Sequence, residues 1–235
     1  LTMNDTYFSV VEALKAASWA HSCELTLDFL DAERIARSGT RVLTKYDSIC
    51  VPGGFGSRGV EGMIKAIEYA RTKKIPYLGL CYGMQLAVIE FARNKLHLDG
   101  AHTTEINKKS PHTVISTMTE QEEILKDNNY GGSMRLGSYP CELAKGSLAY
   151  RLYKQPLIHE RHRHRYEFNN KYREQFEKTG AWRFCGSSPD DKLIEMIELI
   201  DHPYFIACQF HPEFANRPHR PHPLFLGLIE AALKN

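Results

Sequence analysis

The stretch that decides the fold is residues 77–87, YLGLCYGMQLA. An apolar run ends at Leu80, a helix-like pattern begins after Cys81, and glycines stand two positions before and after the cysteine. A sharp turn from strand to helix needs small residues at these flanking positions, and it lifts the side chain at its tip away from the sheet. The pattern therefore predicts a strand, a tight turn and a helix that present Cys81 as a nucleophile.

Strand-like and helix-like segments alternate on both sides of this turn within the first hundred residues. Apolar runs predict short buried strands that end at Pro52 and Leu80. Apolar residues at helical spacing predict helices over residues 60–73 and 83–94. Such alternation is typical of an α/β fold, in which helices cover both faces of a mostly parallel central sheet.

The chain opens on a helical pattern instead of an apolar strand. Asn4 or Asp5 can cap a helix that runs to about Ala20, and the alternation of residues 23–30, CELTLDFL, predicts a strand after it. A doubly wound sheet usually begins with a strand, so we expect the first strand to be truncated here and to lie upstream in a longer parent protein.

Strand patterns dominate the second half of the chain and predict an additional antiparallel region. They cover residues 112–117, 132–143, 157–169, 182–188, 193–200 and 204–210. Helical patterns cover residues 170–180 and 222–235, and the polar residues 118–132 predict a surface loop.

Composition is that of an ordinary soluble globular protein. Charged residues make up 25% of the 235 positions and the formal net charge is +2, which argues against a dedicated binder of nucleic acid. The apolar runs are too short for a transmembrane helix. The six cysteines include no CxxC pair and are too sparse for a disulfide scaffold, so we expect reduced thiols in the cytoplasm. Four are interpreted as packing residues: Cys23, Cys50, Cys185 and Cys208.

A base for Cys81 is predicted in residues 208–214, CQFHPEF. A thiol with an ordinary pKa is only a few per cent ionised at neutral pH, so a nucleophilic cysteine needs a base nearby. His211 follows a strand pattern, and Glu213 stands two residues further on, where an extended chain would place it on the same side. Cys81, His211 and Glu213 are therefore the candidate nucleophile, base and orienting acid of a catalytic triad.

The glycine-rich segment 51–59, VPGGFGSRG, predicts a loop with accessible backbone amides after a buried strand. It could cradle a phosphate, but no Gly-Lys-Ser/Thr sequence follows, and no acidic residue closes the next strand as a dinucleotide site would require. An oxyanion hole is the preferred interpretation, with the N–H groups of Gly54 and Tyr82 as its two donors.

Five motifs, PGGFGSRGVEG, GLCYGMQLAVIEFAR, GGSMRLG, RHRHRYEFN and ACQFHPEF, together closely resemble the glutaminase domain of CTP synthase. That domain is a class I glutamine amidotransferase with a flavodoxin-like fold, and the resemblance runs from about Asn4 to the end of the chain. It implies that residues 1–235 form one glutaminase domain, without a cofactor of its own, that hydrolyses L-glutamine to glutamate and ammonia through a γ-glutamyl thioester.

The resemblance also implies a larger enzyme. A covalent N-terminal synthetase domain, absent from this chain, would use ATP and Mg²⁺ to aminate UTP to CTP with the ammonia released here. The parent enzyme would be a homotetramer held mainly by that missing part, and the isolated domain could be a monomer.

A set of glutamine-binding residues follows from the same resemblance. Glu105 lies where the family binds the α-amino group, and Arg165 lies where it binds the α-carboxylate. This agrees with the chemistry of a zwitterion, which needs one carboxylate and one guanidinium. Tyr82 stands where the family often has leucine. The other members of the set are Gly54, Tyr82, Gly83, Met84 and Gln85.

Other interpretations of these residues stay open at this point. In RHRHR, residues 161–165, His162 and His164 could bind a metal, but the alternating arginines would repel it, and no metal site is expected. The same stretch could contact nucleic acid, but the chain lacks a wider basic excess. A free-standing γ-glutamyl or cysteine peptidase would share the triad, and a regulatory module would carry it as a vestige. The presence of all three triad residue types argues against the last alternative.

Overall fold

A computed structural model of the chain describes residues 5–117 and 134–235. Its helices are α1 (Phe8–Ala20), α2 (Ala32–Ser38), α3 (Val60–Lys73), α4 (Tyr82–Asn94), α5 (Leu148–Tyr153), α6 (Arg173–Glu177) and α7 (Pro223–Ala232). Its strands are β1 (Ile49–Val51), β2 (Tyr77–Leu80), β3 (His102–Thr103), β4 (Thr113–Thr117), β5 (Arg135–Leu143), β6 (Leu157–His164), β7 (Tyr166–Phe168), β8 (Trp182–Ser187), β9 (Ile194–Leu199) and β10 (Phe205–Cys208). The predicted cap Asn4 and the predicted surface loop 118–132 lie outside the described residues.

Among these residues, the larger sheet has seven strands in the order β1-β2-β10-β9-β8-β5-β6. Pairing is parallel between β1 and β2 and between β2 and β10. It is antiparallel from β10 through β9, β8 and β5 to β6. Helix α3 is the crossover between the parallel strands β1 and β2, and α4 follows β2. The antiparallel strands form the additional region that the sequence predicts.

Helices cover both faces of the parallel strands. On one face, Tyr77 of β2 and Phe205 of β10 stack with ring centroids 4.4 Å apart, within a core that includes residues of α3 and α4. On the other face, Leu78, Leu80 and Ile206 pack in a second core with α1 and α7. Because successive side chains of a strand point to opposite faces, burial on both sides requires apolar residues at nearly every position.

A second, three-stranded sheet has the order β3-β4-β7. Val114, Ile115 and Phe168 join its strands to the core that contains α4. The single strand predicted over residues 157–169 is wrong in one respect, because the chain leaves the large sheet at Arg165 and continues in the small one. A strand pattern gives the period of the backbone and does not identify the neighbouring strand.

The strand predicted over residues 23–30 is wrong. This segment belongs to neither a helix nor a strand, although Cys23 and Leu25 are half-buried against the core beside α1. Alternating polarity specifies which side chains face the core, but a strand also needs a neighbour with which to pair.

Short helices account for most of the other differences between the elements predicted from the sequence and those in the structure. The sequence prediction lacks α2 and α5, which are only 7 and 6 residues long and show no repeated apolar period. Both begin at a capping side chain, Asp31 and Ser147, and these caps are the signal that could have located them. The helix predicted over 170–180 is reduced to a 3₁₀ turn and α6, and α1 begins at Phe8 without the side-chain cap expected from Asp5.

None of the helices within residues 5–117 and 134–235 has the length and apolarity needed to span a bilayer.

Candidate active site

Cys81 lies at the tip of a tight turn between β2 and α4, in a backbone conformation with positive φ (φ 48°, ψ −95°). A non-glycine residue held in this region stores strain, as a nucleophile elbow does. The two flanking glycines are required by packing. A Cβ at Gly79 would lie 2.8 Å from the Cβ of Ala207, and a Cβ at Gly83 would lie 2.2 Å from the carbonyl oxygen of Val51. The glycines therefore let α4 descend onto the strands and leave the sulfur at the end of the sheet.

Parallel pairing brings His211 to the same edge of the sheet. β10 runs beside β2 with Cys208 opposite Leu80, so both strands end together, and the N–H of Cys81 donates to the carbonyl of Cys208 at 2.7 Å. His211 Nδ1 lies 2.8 Å from Glu213 Oε1. The imidazole and the side chain of Cys81 both border Gly53, where a Cβ would lie 2.7 Å from His211 Cε1 and 3.7 Å from the Cβ of Cys81. The structure thus brings the three predicted triad side chains together at one edge of the sheet.

The predicted reason for the His211–Glu213 pairing is wrong. The two residues do not lie on extended backbone, because Pro212–Phe214 form a 3₁₀ turn that begins directly after His211. Proline is favoured at the first position of such a turn, and the turn folds the carboxylate of Glu213 back onto the imidazole.

The surroundings of His211 favour its protonated form. Burial acts to lower the pKa of His211, but the hydrogen bonds and negative charges of Cys81 and Glu213 outweigh burial and raise this pKa to about 10. Cys81 is the N-cap residue of α4, and the N-terminus of a helix favours negative charge nearby. The arrangement suits an imidazolium at His211 at neutral pH.

Gln209 is a site residue that sequence reasoning missed. Its side chain is fully buried, its Nε2 lies 3.6 Å from Cys81 Sγ, and its Oε1 accepts a hydrogen bond from Gln85 Nε2 at 3.3 Å. An amide in this position donates to the sulfur and so supports the thiolate. The signal in the sequence that could have identified Gln209 is its position directly after the apolar strand residues and two residues before His211. This signal is weak alone.

The glycine loop borders the sulfur and the imidazole. A Cβ at Gly53 would lie 2.7 Å from His211 Cε1 and 3.7 Å from the Cβ of Cys81, and a Cβ at Gly54 would lie 3.4 Å from Cδ1 of Tyr82. The backbone N–H of Tyr82 opens α4 directly after the nucleophile. Both predicted oxyanion donors therefore belong to segments that meet at Cys81.

The predicted glutamine-binding side chains divide into one at the glycine loop, Glu105, and others that are packed inside the protein. Glu105 faces the glycine loop, where its Oε1 accepts the N–H of Gly56 at 3.0 Å. Met84 and Gln85 are buried in the protein, and Gln85 Nε2 donates to the carbonyl of Tyr166 at 2.8 Å. Gly83 is held against β1, as described above. Of these, Glu105 is the charged side chain placed at the loop.

Arg165 is half-buried at the corner between β6 and β7. It directly precedes Tyr166, whose carbonyl binds Gln85, so the structure connects this corner to the first turn of α4. The predicted alternation along β6 is present, with Arg161 and Arg163 exposed and His162 and His164 buried.

A buried polar cluster lies behind this corner. Arg135 Nη1 lies 2.5 Å from Glu195 Oε1 and 3.9 Å from Glu167 Oε1, and His162 Nδ1 lies 2.8 Å from His164 Nε2. Burial raises the pKa of Glu167 to about 8 and that of Glu195 to about 7. The ligand atoms of His162, His164 and Glu195 lie within 4.8 Å of one another, as a metal site would require. Arg135 already neutralises the charge of Glu195. One further proton, on Glu167, then balances the charge of the cluster, so the cluster suits a proton better than a divalent cation.

The other five cysteines are also free thiols. Burial raises the pKa of Cys50 to about 12 and also raises the pKa values of Cys141, Cys185 and Cys208. These thiols are therefore poor nucleophiles at neutral pH.

Comparison with known proteins agrees with this geometry. The sequence pattern of the family described as "Glutamine amidotransferase class-I" matches residues 2–231. The chain is 52% identical over 235 residues to the CTP synthase of Halalkalibacterium halodurans and 50% identical over 236 residues to that of Listeria monocytogenes. Both alignments cover 100% of this chain but only 43% and 44% of the relatives. The chain thus spans less than half the length of these relatives.

Solved structures support the same assignment. The glutaminase domain of Trypanosoma brucei CTPS with bound acivicin superposes with a TM-score of 0.91 at 35% identity, covering 99% of this chain and 89% of that one. A glutamine amidotransferase from Thermotoga maritima shares only the fold, with a TM-score of 0.56 at 14% identity over 94% of this chain and 90% of that one. The chain belongs to the class-I glutamine amidotransferase family. Within that family it belongs with the glutaminase domains of CTP synthases.

Proposed function

We propose that this chain hydrolyses L-glutamine to glutamate and ammonia, with Cys81 as the nucleophile, His211 as the general acid and base, and Glu213 as the residue that orients His211. One observation carries the proposal. His211, hydrogen-bonded to Glu213 at 2.8 Å, lies beside Cys81 at the shared end of β2 and β10, and the negative charges of Cys81 and Glu213 outweigh burial and raise the pKa of His211 to about 10. An imidazolium in that position can protonate a leaving nitrogen at neutral pH.

The reaction begins with glutamine bound between opposite charges. Glu105 takes the α-ammonium group and Arg165 takes the α-carboxylate, which places the side-chain amide over Cys81. The sulfur attacks the amide carbon, and the N–H groups of Gly54 and Tyr82 stabilise the resulting oxyanion.

Collapse of this intermediate breaks the carbon–nitrogen bond. His211 gives its proton to the departing nitrogen, ammonia leaves, and a γ-glutamyl thioester remains on Cys81. The neutral imidazole then takes a proton from a water molecule, whose oxygen attacks the thioester carbon. Glutamate is released, and the proton on His211 restores the thiolate–imidazolium pair.

The burial of the nucleophile favours a small substrate over a peptide. Cys81 is 4% exposed and is enclosed by the glycine loop, α4 and the turn after β10. A single amino acid suits such a site better than a polypeptide does.

The role in a larger enzyme extends this proposal. In a full-length CTP synthase the ammonia would reach a covalent synthetase domain, where ATP and Mg²⁺ support amination of UTP to CTP, in a cytoplasmic homotetramer. No step of glutamine hydrolysis above involves ATP, UTP or the metal.

Replacing the nucleophile tests the proposal. In a full-length enzyme that carries this chain, Cys81→Ala should abolish glutaminase activity and glutamine-dependent CTP formation, while free ammonia still supports CTP formation. Cys50→Ala is the matched control, because it removes a partly buried thiol from the neighbouring strand β1. Glutamine-dependent activity that survives in Cys81→Ala would exclude Cys81 as the nucleophile.

A further inference from the structure

The side chain of Tyr82 ties the glycine loop to the catalytic turn. Tyr82 is 3% exposed, and its hydroxyl donates a hydrogen bond to the carbonyl of Gly56. Its ring also lies beside Gly54, where a Cβ would be 3.4 Å from Cδ1 of the ring. One side chain thus contacts both ends of the loop segment 54–56.

Glu105 holds the same loop position from another direction. Its Oε1 accepts the N–H of Gly56 at 3.0 Å, so both backbone polar groups of Gly56 are bound by side chains. Gly56 has φ 78°, a left-handed conformation that few other residues adopt, and the neighbouring Phe55 is 88% exposed. Because Phe55 contributes little packing, these two hydrogen bonds are the main restraint on the tip of the loop.

From these contacts we infer that the Tyr82 hydroxyl is a positioning group for the oxyanion hole. The backbone N–H of Tyr82 is one of the two proposed donors, and its side chain fixes the loop that carries the other, the N–H of Gly54. The inference rests on the proposed function of the site. It assigns a role in transition-state stabilisation to a side chain that does not touch the reacting atoms.

The surroundings of Tyr82 keep its hydroxyl available as a donor. Burial, and then the negative charge of Glu105, raise the pKa of Tyr82. The phenol therefore stays protonated throughout the pH range of an assay.

Tyr82→Phe tests the inference, because it removes the hydroxyl and keeps both the ring and the backbone N–H. Oxyanion donors act in the transition state more than in the bound substrate, so kcat for glutamine hydrolysis should fall by about tenfold or more while KM changes by less than about threefold. Tyr204→Phe is the matched control. Tyr204 is equally buried and its hydroxyl donates to the carbonyl of Leu224 at 2.5 Å, away from the site, so this variant should keep the parent kcat.

A second measurement separates positioning of the loop from general damage to the site. The probe is a glutamine analogue in which an alkyl halide replaces the side-chain amide. The sulfur of Cys81 displaces the halide ion and forms a carbon–sulfur bond, and no oxyanion develops. Tyr82→Phe should therefore be alkylated at Cys81 at the parent rate, although it hydrolyses glutamine slowly.

The outcomes are distinct. A parent protein that neither hydrolyses glutamine nor alkylates at Cys81 would refute the proposed function itself. With an active parent, the inference is overturned if Tyr82→Phe matches Tyr204→Phe in kcat, if its kcat rises, or if alkylation and hydrolysis decline together.

Discussion

Gly53 of the glycine loop lies so close to the imidazole of His211 that no side chain fits between them. Gly53→Ala tests what happens when a methyl group is forced into this space. The added Cβ would lie 2.7 Å from His211 Cε1 and 3.4 Å from His211 Nδ1. Carbon atoms prefer separations of at least about 3.5 Å, so the ring must move by about 0.8 Å. Such a shift strains the 2.8 Å bond to Glu213 and misaligns the ring with the sulfur. Misplacement by about 1 Å can cost about 100-fold in rate, and we expect kcat for glutamine hydrolysis to fall by about that factor.

The neighbouring glycine provides the comparison for this variant. A Cβ at Gly54 would meet the ring of Tyr82, at 3.4 Å from Cδ1 and 4.0 Å from Cγ, which are ordinary contacts, so Gly54→Ala should lose at least about tenfold less activity than Gly53→Ala. Steady-state release of glutamate measures both variants, and thermal unfolding checks that both are folded. Folded Gly53→Ala that keeps the parent kcat, or Gly54→Ala that loses more activity than Gly53→Ala, would exclude a steric limit on the imidazole at Gly53.

Three further predictions concern charges around the site. The pKa of His211 is raised from 6.5 to about 10, so activity that needs the imidazolium should fall only as the pH passes about 10. Glu213→Gln removes a negative charge beside His211 and should move this alkaline limb of the kcat/KM profile to lower pH. An alkaline limb at the parent pH would contradict the pairing of His211 with Glu213. Arg165→Lys keeps the charge but loses the forked geometry, so KM for glutamine should rise by about tenfold with kcat nearly unchanged. Arg163→Lys, at an exposed position near the end of β6, should change neither. The pKa of Glu167 is raised from 4.5 to about 8, so the folded state binds a proton that the unfolded state has lost, and stability falls as the pH rises through that range. Between pH 6 and pH 8.5, Glu167→Gln should therefore lose at least about 1 kcal/mol less unfolding free energy than the parent, as measured by urea unfolding. Equal pH dependence of the two proteins would refute this.

The sequence predicts the parallel part of the fold well because its signals are local. The elbow around Cys81 combines glycine spacing, an apolar strand and a helical period, and each of these is written in adjacent residues. β2, α3 and α4 accordingly lie where the pattern places them. The family assignment, which the comparisons confirm, rests on motifs of the same local kind.

The parts that the sequence does not predict depend on partners distant in the chain. Residues 23–30 have the polarity of a strand, but pairing depends on a neighbour that their own pattern cannot specify. The contact between Gln209 and Cys81 arises because β10 lies beside β2, and nothing in CQFHPEF marks the glutamine as facing the sulfur. His211 and Glu213 are predicted as partners on the assumption of an extended chain, but a 3₁₀ turn brings them together instead. The predicted pair is present, and the predicted backbone geometry is not.

The most direct test of a nucleophile at Cys81 is to map covalent labelling by a glutamine analogue with an electrophilic γ-carbon. Mass spectrometry of digested protein reports which of the six cysteines carries the label and how fast, with and without excess glutamine. A nucleophile at Cys81 should give one modified thiol, at position 81, and strong protection by glutamine. Label distributed over the other thiols, or modification of Cys81 that glutamine does not slow, would contradict it.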